Sequence, residues 1–209
     1  EVFNLVKKRW EGLQLLRQNL GDKAIDFQQN KGFELFNDAV FYEECSSQRS
    51  TINQLIAPIF KQDVFSESEN IFNFKKIQPK YSVNQFEGQI DTGKMVTQLL
   101  LNGFAKQLLQ ENVQPARAQV IITKPIKNLN IKGTFHLYKG YYYFRNIDNR
   151  ILFGGGRNLD FKTEETTKFG QTEVVQNQLK TILKETILPN TPFEIEHSWS
   201  GIMGVGNQK

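Results

Sequence analysis

Four apolar runs, AQVIIT, GTFHLY, YYYFR and RILFGG, occupy much of residues 118–155, separated by Pro125, an Asn-Leu-Asn triplet, Gly140 and the tetrapeptide NIDN. Runs of this length, rich in β-branched and aromatic residues and bounded by turn formers, read as strands. Short connections favour antiparallel neighbours, so an antiparallel meander is expected. Residues 146–149 would be a hairpin turn that sets YYYF beside RILF.

Helices are expected on either side of this sheet. At the start, Val2, Phe3, Val6, Trp10, Leu13, Leu16 and Leu20 recur at intervals of three and four, an amphipathic helix closed by Gly21. Ile25 and Phe27, the Lys31-Gly32 break, and the apolar residues from Phe33 to Phe36 suggest a short strand pair with a turn. A second helix is expected from Glu43, carrying Ile52, Leu55, Ile56 and Ile59 and ending or bending near Pro58. Residues 61–91 read as loop with short extended pieces. Asp91 and Thr92 then cap a helix start, and a short helix follows at residues 104–109 after an Asn-Gly turn. Val174, Val175, Leu179, Ile182, Leu183 and Ile187 mark a helix of about four turns stopped by Pro189, and the chain closes in a strand followed by a glycine-punctuated segment. The fold class is α+β, a twisted and mainly antiparallel sheet with flanking helices.

Charge and composition narrow the functions. The net charge of +4 comes from 26 Lys and Arg against 22 Asp and Glu spread along the chain, without the dense basic face that nucleic acid binding requires. One cysteine, Cys45, excludes an internal disulfide and fits a reducing, cytoplasmic setting. Two histidines, His136 and His197, with that single cysteine do not suggest a metal site. No apolar run reaches the roughly 18 residues of a membrane-spanning helix. Seventeen Phe point to broad apolar packing or to a pocket with aromatic walls.

The glycine triplet Gly154, Gly155, Gly156 marks a sharp turn or bulge, or a place where something approaches the backbone closely. With its surroundings it carries a resemblance. PARAQVIIT, GYYYFRNIDNRILFGGGRNLDF, ETT and WSGIMGVG, together with EGQIDTGKMV, form an ordered set. That set resembles the FAD-dependent oxidoreductases of the D-amino-acid oxidase and glycine oxidase type (DAO), particularly a bacterial branch of unassigned substrate.

The resemblance implies a two-domain enzyme with FAD as cofactor, in which a substrate domain covers the flavin, and a small-molecule amine or amino-acid-like substrate oxidised at its C–N bond. The GxGxxG fingerprint that opens such proteins is not among these residues, the chain lacks an initiator Met, and further chain is expected between Leu100 and Leu101. Residues 1–90 would then be the first part of the substrate domain with a linking helix. Residues 91–112 would be remnants of the FAD-binding domain, and 113–209 the antiparallel-sheet part of the substrate domain. An isolated small-molecule-binding or interaction module without activity is the alternative.

By the same resemblance, Gly154, Gly155, Gly156 and Gly201 lie beside the flavin. Tyr142 matches a tyrosine that hydrogen-bonds the substrate carboxylate, although period two turns Tyr141 and Tyr143 to the other face. Met203 stands where amino-acid-oxidising relatives often carry the arginine that anchors that carboxylate. Its thioether offers only a soft apolar wall, which passes the role to another residue such as Arg157. Arg145 and Arg150 flank the same hairpin, Trp199 would shape the pocket floor, and Arg117 would tie the two domains together or decorate a crossing segment. No residue is required as a catalytic acid or base, because hydride can pass directly from the carbon beside a neutral amine to the flavin.

Overall fold

The computed structural model describes residues 1–101 and 113–206. Eight strands form one sheet: β1 (Gly32–Leu35), β2 (Phe65–Glu69), β3 (Lys80–Asn84), β4 (Val113–Thr123), β5 (Thr134–Leu137), β6 (Tyr142–Ile147), β7 (Arg150–Gly155) and β8 (Ile195–Gly206). Their order is β2-β3-β1-β5-β6-β7-β4-β8, and every neighbouring pair is antiparallel except β1 with β5. Among the described residues, five α-helices flank it: α1 (Val2–Leu20), α2 (Ala39–Phe60), α3 (Thr92–Leu101), α4 (Phe161–Glu164) and α5 (Glu173–Ile182). The α+β class and the mainly antiparallel sheet are as the sequence implies.

Several local expectations are corrected. The meander holds for β5, β6 and β7, but β4 pairs with β7 and β8 instead of β5. The connection after β4 crosses the end of the β6–β7 hairpin, where the Ile126 amide donates to the Asn149 carbonyl and the Gly133 amide to Asn146 Oδ1. Residues 25–36 supply one strand and not a local pair, since β1 finds its partners in β3 and β5.

Helix α2 begins earlier than expected, at a cap where Asp38 Oδ1 accepts from the Phe41 amide at 2.8 Å, and it runs past Pro58. The extended pieces within 61–91 are the β2–β3 pair. The terminal glycines do not break the last strand, for β8 runs twelve residues along β4. The short helix expected at 104–109 lies outside the described residues.

Strand pairing sorts the side chains into two faces. One row runs Ser66, Val83, Phe33, Phe135, Phe144, Phe153, Ile121, Ser198 across all eight strands. Its aromatic members stack or meet edge to face, with centroids 4.9 Å apart for Phe33 and Phe135 and 4.6 Å for Phe135 and Phe144. Val175, Leu179 and Ile182 of α5 close over this face, followed by the π-helical turn Leu183–Ile187. Five of the seventeen phenylalanines, Phe33, Phe74, Phe135, Phe144 and Phe153, are buried in this core.

The adjacent row on the opposite face reads Glu67, Ser82, Glu34, His136, Tyr143, Gly154, Val120, Trp199. It is polar at one end and aromatic or small at the other. Beyond Val120 the same face continues with Ala118 opposite Gly201 and Ala116 opposite Met203.

The glycine triplet has reasons inside the chain. A Cβ on Gly154 would meet Tyr143 Oη at 2.8 Å, so the glycine leaves room for that ring. Gly155 has φ +128°, and its Cβ would lie 2.2 Å from the Tyr141 carbonyl oxygen. Gly156, at φ +83°, turns the chain against Val175. Gly155→Ala combines a backbone collision with an unfavourable φ and is expected to cost about 2–3 kcal/mol. Urea denaturation of the two proteins would read this as a lower midpoint at unchanged slope.

Candidate functional site

On the second face, a cavity of about 400 Å³ gathers residues from five parts of the chain. Ala118 and Tyr143 rise from β4 and β6, and Met203 comes from β8. Tyr141 and Gly140 come from the β5–β6 turn, while Arg9 reaches in from α1. Arg157 follows the glycine triplet in a 3-10 turn, Arg157–Leu159. Trp10 holds α1 in place by packing on Phe60 of α2 and on Phe86, with centroids 4.9 and 5.5 Å away.

The segment carrying Arg157 is fixed to β4 from below by a buried polar cluster. Arg117 grips Glu164 of α4 through two bonds, Nε to Oε2 at 2.8 Å and Nη2 to Oε1 at 3.1 Å. Gln119 Nε2 donates to Glu164 Oε1 at 2.9 Å and to Thr172 Oγ1 at 2.8 Å, while its own carbonyl oxygen accepts from the Thr172 amide and from Gln176. Glu164 is 1% exposed. Burial pushes its carboxyl up, but the bonds from Arg117, Gln119 and Thr172 outweigh that and bring it below the ordinary range. Arg117 is therefore an internal tie between β4 and the 157–172 segment.

The sequence-derived site residues separate clearly. Arg157, Met203 and Gly155 line the cavity. Trp199 and Gly201 lie on the same face of β8; Trp199 is 40% exposed, and a Cβ built on Gly201 meets nothing within 4 Å. Tyr142 is turned the other way, 2% exposed within the core, where burial and then Tyr138 push its phenol up to about 12. Tyr143 occupies the site face, and burial raises its phenol too. Of the alternating pair, Tyr142 thus faces the core and Tyr143 the cavity.

Arg157 stands apart from the other arginines of its hairpin. Arg150 is paired with Glu196. Arg145 donates to the Ile90 carbonyl at 3.4 Å, with burial lowering its pKa. Arg157 stacks its guanidinium 5.3 Å from the Phe161 ring centroid and has no carboxylate within ion-pair distance among the described residues. With Arg9 it gives the cavity a positive wall, and among the described residues no carboxylate lines this cavity.

His136 sits farther along the face, its Nε2 3.1 Å from Glu87 Oε1, which also accepts from Thr134 Oγ1 at 2.9 Å. The Glu87 bond raises the imidazole pKa against the opposing effect of burial. A raised folded pKa stabilises the protein below the unfolded value near 6.5, and this contribution is lost as pH rises through the folded value. Glu87→Gln is expected to bring the His136 midpoint down, as read by NMR titration of the ring. His197 is exposed on β8. Among the described residues no group of three or more His, Cys, Asp or Glu is placed to hold a metal ion, and no helix is long and apolar enough to cross a membrane.

A family model described as DAO, FAD dependent oxidoreductase, matches residues 92–208, more than half of the chain. No curated protein matches the sequence. Among solved structures, L-proline dehydrogenase from P. horikoshii superposes with TM-score 0.67 at 15% identity, over 95% of this chain and 66% of that one. Glycine oxidase from Bacillus cereus ATCC 14579 gives TM-score 0.67 at 9% identity, over 95% and 66%. Iminodiacetate oxidase from Chelativorans sp. BNC1 gives 0.66 at 12%, over 99% and 69%. The chain thus spans about 66% of the length of the first two. At such identities the likeness is one of fold.

Proposed function

The chain belongs to the DAO family of FAD-dependent oxidoreductases, and from that premise we propose that it provides the substrate wall of a flavoenzyme that oxidises the C–N bond of an amine or amino-acid-like molecule. The observation that carries this reading is the cavity in which Arg157, Arg9, Tyr143, Tyr141 and Met203 converge on the second face of the sheet. Its positive wall suits a carboxylate, held by Arg157 through a planar pair of hydrogen bonds. Met203 supplies an apolar surface for the rest of the molecule. Tyr143 takes the role of directed phenol donor that sequence reasoning gave to Tyr142.

FAD fits this face in part. Ala118 and Gly201 are small, and Trp199 and Met203 flank them, which leaves a shallow apolar strip for a planar ring, while the space over Gly154 is taken by Tyr143. The nucleotide half of the cofactor would be held by residues outside these elements. When bound, FAD would accept the hydride released from the carbon next to nitrogen. The residues of this chain bind and orient the substrate and exclude water around it. In this reading 1–90 and 113–209 are substrate domain, 91–112 belongs with the FAD-binding part, and the single cysteine suits the cytoplasm.

The test is a substrate screen on the FAD-loaded protein that contains this chain, following electron transfer to oxygen or to a dye. Amino acids and N-substituted glycines are expected to turn over, and amines of equal bulk without the carboxylate to do so far more slowly. Turnover of none of them would favour the module without activity.

A further inference from the structure

Apart from the catalytic cavity, a larger cleft of about 1020 Å³ lies between α2 and the other end of the second face. Phe41, Cys45, Gln48 and Ile52 form one wall, at the spacing of a single helix face. Phe65, Ser82, Glu34 and His136, from four different strands, form the other. A helix that flanks a sheet ordinarily buries such a face in direct contact, and interiors seldom leave gaps much larger than a water molecule. This gap has the dimensions of a small-molecule site, with aromatic and aliphatic walls and several charged groups.

The polar groups in it are unequally engaged. Arg49 donates from Nη2 to Glu67 at 3.1 Å and to Ser46 Oγ at 3.2 Å, while its Nε is buried without a partner among the described residues. Lys139 lies with its Nζ 5.1 Å from the Phe41 ring centroid. His136 Nε2 is bonded to Glu87. Glu34 Oε1 is the acceptor in this lining that is buried with no hydrogen-bond partner among the described residues. A buried carboxylate oxygen without a donor is costly, and a donor brought by a ligand would remove that cost. Glu44 adds a second carboxylate to the lining.

We propose that this cleft is a second ligand site, which takes a protonated amine carrying an aromatic or aliphatic body, with the ammonium donating to Glu34 and the body lying among Phe36, Phe41, Ile52 and Phe65. The assignment does not depend on flavin chemistry. An anion of the same shape would bring no donor to Glu34 Oε1, so the selectivity rests on that oxygen and not on the net charge of a lining that also holds Arg49 and Lys139.

The experiment compares 4-phenylbutylamine with 4-phenylbutyrate by isothermal titration on the full chain, with alkylation of Cys45 as a second reading. The amine is expected to bind saturably and to slow alkylation, and the carboxylate to do neither. Glu34→Gln, close in shape, should weaken amine binding about ten-fold or more. Ile52→Trp should block it by filling the cleft. Equal binding of the two probes, absence of saturable amine binding, or an unchanged affinity in Glu34→Gln would overturn the proposal.

Discussion

Arg117→Ala is expected to lower the stability of this protein by about 3–5 kcal/mol, measured by urea denaturation at neutral pH. The magnitude follows from what remains behind. Glu164 would stay 1% exposed and charged, with its bidentate partner gone and only Gln119 and Thr172 donating to it. Glu164→Gln should cost less, because an uncharged amide keeps part of the cluster.

Acid should act on the same group. Since the folded Glu164 pKa is lowered, its contribution is present above the unfolded value near 4.3 and is lost as pH falls through the folded value. Wild-type stability should therefore fall on acidification more steeply than that of Glu164→Gln. Parallel acid profiles would remove the cluster from the account of what holds the 157–172 segment.

The second large effect is catalytic. Arg157→Ala is expected to reduce kcat/KM toward carboxylated substrates by about a hundred-fold or more, corresponding to about 3 kcal/mol for truncating one side of a desolvated charge pair. The loss should appear mostly in KM, since a carboxylate anchor binds ground and transition states alike. Arg157→Lys should recover only part of it, because an ammonium cannot reproduce the two parallel bonds of a guanidinium. Arg150→Ala, which removes the partner of Glu196 at the far end of the hairpin, should leave KM almost unchanged.

What the sequence made legible follows from the range over which its signals act. The β6–β7 hairpin, α1 and α5 are written in local periodicity and turn residues, and they stand where those signals put them. Partners chosen across long distances are not so written. Nothing near Gly32 announces that β1 will lie parallel to β5, a hundred residues on, or that β4 will be carried past β6 to the far side of β7.

The site shows the same division. Arg157 and Met203 were identified from their places in motifs and do meet in one cavity. The choice between Tyr142 and Tyr143 depended on register, where a slip of one residue exchanges the faces of a strand. Arg9 was missed because its role comes from where α1 docks, which Trp10, Phe60 and Phe86 decide. The convergence of Glu34, Glu87 and His136 likewise needed the sheet order before it could be seen.

In the proposed enzyme the Arg157 face of the sheet receives the substrate against the flavin. The most direct test of this is anaerobic mixing of the FAD-loaded protein with an N-substituted glycine, following loss of the oxidised flavin absorbance in wild type and in Arg157→Ala. Reduction of the wild type is expected to saturate with substrate, and that of the variant to reach half-saturation at a concentration about a hundred-fold higher. Reduction with the same concentration dependence in both proteins would contradict it, as the carboxylate would then be held somewhere other than this cavity.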